Sequence, residues 1–240
     1  MAGAESLTVE RSFSGLNWRP RLDDDREARV LAQRLGLPEI VGRALAAMGI
    51  GPKDAELFLN PALKVQLPDP GHLKDMERGA GRIADAIEAG EGIAVFGDYD
   101  VDGATSSALL ARFCRALGTE IETYIPDRIK EGYGPNRAAM LALGARGAKV
   151  IITVDCGVSA FEPLKAASDA GIDVVVVDHH VAEARLPEAL AVINPNRLDD
   201  ASPHKQLAAV GVAFLLVVAV NRALRKRGFY SSRPEPDLMG

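Results

Sequence analysis

The chain has 240 residues, 48% hydrophobic and 25% charged, with a net charge of −5. That is ordinary globular composition, with length for one large domain or a domain plus a smaller one. The acidic balance argues against wholesale coating of nucleic acid or of an anionic membrane, and it leaves room for a local basic groove.

The opening residues lack the basic-then-apolar pattern of a signal peptide. Glu27 to Leu35 and Ile40 to Met48 then carry helical apolar spacing, broken at Gly36, Pro38 and Gly49. A connector with Pro61, Pro68 and Pro70 follows, and residues 1–75 read as a small helical module. An amphipathic stretch from Leu73 to Ala89, with Ile83, Ala86 and Ile87 inward, leads into the main domain at 76–240. From Gly92 the pattern predicts strands at 92–97, 120–125, 149–154, 173–177 and 191–193. Helices are predicted at 104–117, 135–144, 159–170 and 207–227. Alternation of this kind implies an α/β fold with a doubly wound, mainly parallel five-stranded sheet. The uncharged run from Leu207 to Val220 is shorter than a bilayer of about 30 Å requires and reads as a buried helix. Two cysteines, Cys114 and Cys156, form neither a disulfide framework nor a zinc spacing. They read as buried free thiols, and a cytoplasmic protein without membrane contact is expected.

Three of the predicted strands end in acid. Asp98, Asp100 and Asp102 follow the first, Asp155 follows Val150–Val154, and Asp178, His179 and His180 follow four valines. Ligands of such sheets bind beyond the carboxyl ends of the strands, so five aspartates and two histidines would share one crevice. Asp98 to Gly103 superficially matches half an EF-hand loop, but the twelfth position is Leu109 and a strand, not a helix, enters it. A solvated acidic turn is the plainer alternative, yet three like charges this close repel unless a cation bridges them. Asp102 is also a candidate cap for the following helix. Asp155 by itself is weak; an aspartate and two adjacent imidazoles after four valines are poorly explained by packing. Carboxylates in the majority favour manganese or magnesium.

These residues, together with Pro126–Gly134, Phe58–Pro61, Asp69-Pro70, Ile193–Asn196 and Gly211–Phe214, resemble the DHH phosphoesterase superfamily. Within it they are similar to bacterial exonucleases specific for single-stranded DNA. The resemblance implies two Mn2+ or Mg2+ ions, about 3.5–4 Å apart, that assist an in-line phosphoryl displacement. It implies Asp100, Asp102, Asp155 and His179 as direct ligands, and Asp98 as a further ligand or an outer partner. Asp178 would orient the histidines, and His180 would reach the scissile phosphate. Arg128, Lys130 and Tyr133, in the loop after the second strand, are candidates for nucleic-acid contact, with a solvated loop as the alternative. Arg222, Arg225, Lys226 and Arg227 invite a similar label, but cations also favour the end of a helix.

The implied activity is 5′→3′ hydrolysis of single-stranded DNA to 5′-mononucleotides in repair and recombination. The implied partners are that DNA, a single-strand-binding protein and a helicase. Related pyrophosphatases carry a histidine where Phe96 stands. The family's last ligand aspartate belongs to a Gly-Thr-x-x-Asp stretch that does not occur in these 240 residues. The DHH-associated and OB-type domains are missing as well, so an incomplete chain with little nuclease activity of its own is expected. A phosphodiesterase for short oligonucleotides or cyclic dinucleotides is one alternative, and a folded non-catalytic scaffold is another.

Overall fold

The computed structural model describes residues 11–238. The opening segment, read above as carrying no leader, lies mostly outside the described residues. Contacts divide the chain into two units between Leu67 and Pro68.

In the first unit α1 (Arg26–Leu35) and α2 (Glu39–Ala47) pair, followed by the short α3 (Ala55–Leu59) and α4 (Leu63–Gln66). Ala28, Leu31, Leu45, Ala46 and Ala55 form its core, at the 3–4 spacing the sequence shows. Gly36, in the left-handed region at φ 64°, ends α1. Gly42 permits a close crossing: a Cβ there would stand 2.3 Å from the Ala28 carbonyl oxygen.

The second unit begins earlier than the expected residue 76. Lys74 N–H donates to Asp200 at 2.8 Å, and Asp75 accepts from Val192 N–H at 3.1 Å. These long-range bonds tie residues before α5 (Met76–Ala89) to the sheet domain, and helical periodicity carries no trace of them. The domain continues as β1 (Gly92–Gly97), α6 (Val101–Ala116), β2 (Ile121–Tyr124), α7 (Arg137–Ala145) and β3 (Ala148–Val154). Then come α8 (Phe161–Asp169), β4 (Asp173–Val177), β5 (Ala191–Ile193) and α9 (Ala209–Lys226).

The five strands are parallel throughout, in the order β2-β1-β3-β4-β5. Ala94, Phe96, Ile151, Val174 and Val176 point to one face, where Met140, Leu143, Leu164 and Ala167 of α7 and α8 cover them. On the other face α5 lies close enough that a Cβ on Gly79 would meet Ile193, Val175 and Ala191. The α9 helix packs against α5 and α6 and buries Leu215, Leu216, Val217 and Leu224. Burial on both faces explains why the strands read as continuous apolar runs. The apolar run around Leu207–Val220 is accounted for by the same burial. Among the described residues, no helix is long and apolar enough to cross a membrane.

The α6 helix starts at Val101, three residues before the predicted 104. Its cap is Asp100, not Asp102: the Asp100 carboxylate accepts the N–H groups of Asp102 and Gly103 at 2.9 and 3.2 Å. The strand order reverses between β1 and β3, and that switch point is where such sheets form a crevice.

Candidate metal centre

Each strand-end aspartate is held by one further rung of the sheet ladder. The N–H of Asp98 donates to Val154 O at 3.3 Å, that of Asp155 to Val177 O at 3.0 Å, and that of Asp178 to Ile193 O at 3.1 Å. Their side chains are therefore delivered at adjacent points along the C-terminal edge. Asp98, Asp100 and Asp155 can offer oxygens that all lie within 4.8 Å of one another; so can Asp155, His179 and His180 with their own donor atoms. Asp155 belongs to both groups. It is 2% exposed, and its backbone sits at φ 60°, in the left-handed region that costs a non-glycine residue strain. The Tyr133 hydroxyl donates to the Asp155 carbonyl at 3.1 Å. Gly157, at φ 113°, completes the turn against Thr153.

The electrostatics conflict as long as only protein is present. Oδ1 of Asp98 and Oδ1 of Asp155 are buried with no hydrogen-bond donor, a costly state for an anionic oxygen. Burial pushes the Asp155 carboxyl up to about 8, reinforced by Asp100. Burial likewise raises Asp98, and the Asp100 charge adds to it. For Asp100 burial also acts upward, but Asp155 and the N–H groups of Gly103 and Asp102 outweigh it and move the carboxyl down. Only a shared proton or a cation makes the approach of Asp100 to Asp155 favourable.

The two histidines are oriented differently. His179 Nδ1 lies 3.1 Å from the Leu207 carbonyl, which can only accept, so Nδ1 carries a proton and Nε2 is aimed at Asp155 Oδ1, 3.3 Å away. His180 Nδ1 lies 2.7 Å from Asp178 Oδ1. This contact raises the His180 pKa, against the opposing effect of burial. Asp178 is 1% exposed and saturated: it also accepts the N–H groups of Val158, His179 and His180. Burial alone would raise its carboxyl, and those bonds hold it below the ordinary value. Tying the second ring nitrogen to a carbonyl or carboxylate is how metal-ligating imidazoles are usually fixed. Two orphaned carboxylate oxygens and two imidazoles so tied fit a divalent cation, and the predominance of oxygen suits Mn2+ or Mg2+.

Not every anticipated residue joins the cluster. Asp102 lies on the first turn of α6 and is absent from both donor groups. The Arg128 guanidinium stacks 5.0 Å above the Tyr99 ring, and its charge acts on Asp98. Lys130 is exposed and lies 3.7 Å from Asp127. Tyr133 is half-exposed, with its ring edge-on to His180 at 6.1 Å. Glu131 organises this loop by binding the Tyr124 hydroxyl, Asp127 N–H and Asn136. At the end of α9, Arg222 pairs with Asp69, Arg225 with Glu235, and Arg227 with Asp85 and Glu88. Cys114 and Cys156 are free and buried. The Leu207 carbonyl and the Asn194 and Asn196 side chains are contributors that single-residue chemistry did not single out.

A doubly wound parallel sheet that gathers carboxylates and imidazoles at its switch point defines an α/β domain equipped for divalent cations. The chain belongs to the DHH family: residues 92–239 match the model of the DHH family, N-terminal domain. It is 37% identical over 208 residues to the single-stranded-DNA-specific exonuclease RecJ of Bacillus subtilis (strain 168), covering 86% of this chain and 26% of that protein. Crystal structures of RecJ from Thermus thermophilus share the fold. The Mn2+ complex gives a TM-score of 0.66 at 27% identity over 90% of this chain and 29% of that one. The Mg2+ complex gives 0.54 at 26% identity, over 90% and 25%. The chain thus spans about a quarter to a third of the curated relatives it matches.

Proposed function

We propose that this chain carries the metal-binding part of a phosphodiesterase that degrades single-stranded DNA from its 5′ end to mononucleotides. The observation that carries this reading is the pair of buried, donorless oxygens on Asp98 and Asp155 beside two imidazoles with fixed ring nitrogens. Asp98, Asp100, Asp155 and His179 would hold the cations, with Asp102 nearby on α6. When bound, the cations supply Lewis-acid stabilisation of the phosphate and make water nucleophilic near neutral pH.

The chain's own groups orient and neutralise. Asp178 holds His180 by Nδ1, so that Nε2 faces the phosphate as acceptor or, when protonated, as donor. Arg128, braced on Tyr99, offers a fixed cation to a phosphate, and Lys130 a mobile one. The open face of Tyr133 offers a base-stacking surface, worth about 1–3 kcal/mol per base in comparable grooves.

The test pairs Mn2+ titration, followed by the loss of the free-ion electron paramagnetic resonance signal, with product analysis on 5′-labelled single strands and on dinucleotides. Mn2+ binding that Asp155→Ala abolishes is the expected pattern, and whatever product a long strand yields should be mononucleotides. Hydrolysis confined to dinucleotides would favour the short-oligonucleotide reading, and no Mn2+ uptake would sink the metal assignment.

A further inference from the structure

The segment that follows β5 touches the histidine pair at three points, all of them independent of any ion. Asn194, fully buried, donates from Nδ2 to the His180 carbonyl at 2.9 Å. Asn196 donates from Nδ2 to the His179 carbonyl at 2.6 Å and to the Lys205 carbonyl at 3.1 Å. The Leu207 carbonyl accepts from the His179 ring. Two carboxamides thus hold the backbone of both histidines while a backbone carbonyl sets one ring. Because both partners of the Asn196 amide are carbonyl oxygens, its NH2 must be the end that faces them.

The segment is itself anchored. Asn196 N–H donates to Asn194 Oδ1 at 2.7 Å, and Lys205 Nζ donates to the carbonyls of Pro195 and Asp200. Arg197, 7% exposed, donates to the Val192 carbonyl and to Asp75 at 2.6 Å each. A path of polar contacts therefore runs from the start of α5, through residues 194–207, to His179.

We propose that residues 194–207 are the mould that fixes the ring and tautomer of His179 before an ion arrives, and that Asn196 is its central positioning residue. This rests on the reading of His179 as a metal ligand. The role is separable from bulk stability because Asn196 is only half-buried.

The informative substitution is Asn196→Asp. It keeps the shape and removes both donors, placing a carboxylate against two carbonyl oxygens. Charge alone predicts tighter Mn2+ binding from an added carboxylate near a cation site. Loss of positioning predicts the reverse, by about tenfold or more in Kd, as for other outer partners of metal ligands.

Imidazole 15N spectra of the metal-free chain supply a readout that needs neither ion nor DNA. The unsubstituted chain should show His179 as the Nδ1–H tautomer, and Asn196→Asp should mix the two tautomers. Lys205→Met, which loosens the same segment, should shift both readouts in the same direction but less, and it serves if the Asn196 variants do not fold. Tyr230→Phe removes a remote bond to Asn221 and should lower the melting temperature without moving either readout. An Nδ1-deprotonated His179 in the unsubstituted chain would overturn the mould. So would unchanged or tighter Mn2+ binding and an unchanged tautomer in the folded variants. Hydrolysis confined to dinucleotides with both readouts intact would count against the nuclease reading instead.

Discussion

Asp155 is asked to be buried, anionic and left-handed at once. Its carboxyl is pushed up to about 8, so at intermediate pH the folded, metal-free chain holds a proton that the unfolded chain has released. Stability is then fully present at pH values below the ordinary aspartate range and is lost as the pH rises through about 8. Burial moves Asp98 in the same direction. Thermal melts of metal-free protein should therefore fall in midpoint from about pH 5 to about 8.5, and Mn2+ should reverse the slope by taking the proton's place. Asp155→Asn, isosteric and neutral, should flatten the slope and raise the metal-free midpoint. Relief of about 1 kcal/mol corresponds to about 2–4 °C in a chain of this size. The same variant should no longer gain stability from Mn2+. Tyr133→Phe leaves the stacking face and removes one hydrogen bond to the strained Asp155 peptide. It should cost about 0.5–1.5 kcal/mol of stability and weaken Mn2+ binding, while single-strand binding in filter assays changes little.

At the level of elements, the site depends on how closely α6 approaches the end of β1. A Cβ on Gly103 would stand 2.3–2.6 Å from the Asp98 backbone O, N and C atoms, too close for either segment to yield cheaply. Gly103→Ala should destabilise by at least the about 1–3 kcal/mol typical of overpacking and should degrade Mn2+ affinity in the same samples, measured by denaturant melts and ion titration. The strands and their terminal aspartates were legible because burial on both faces writes an unbroken apolar run, and the acid marks its end. The cap was misplaced by one motif step, since Asp100 and Asp102 look alike until the turn shows which carboxylate faces the open N–H groups. The Leu207 carbonyl was not legible at all: a backbone oxygen has no residue identity, and it is usable because α9 begins two residues later than the apolar pattern suggests. Asn194 and Asn196 were visible as a motif, but their partners lie across a fold that spacing does not encode.

Across the whole molecule, an ion held by β1, β3 and β4 would stabilise by mass action. At free Mn2+ about 100 times its Kd the gain is about 2.7 kcal/mol, and chelation should return the melting midpoint to its metal-free value. The paired arginines of α9 are expected to contribute little to single-strand affinity, so Arg225→Ala should leave filter binding nearly unchanged. The sheet order has a further consequence, in time rather than space. β1 and β3 pair although β2 lies between them in the chain, and Asp98, Asp155 and His179 become neighbours only once β1, β3 and β4 are in register. Capture of Mn2+ by a refolding chain would therefore serve as a clock for the pairing of these three strands.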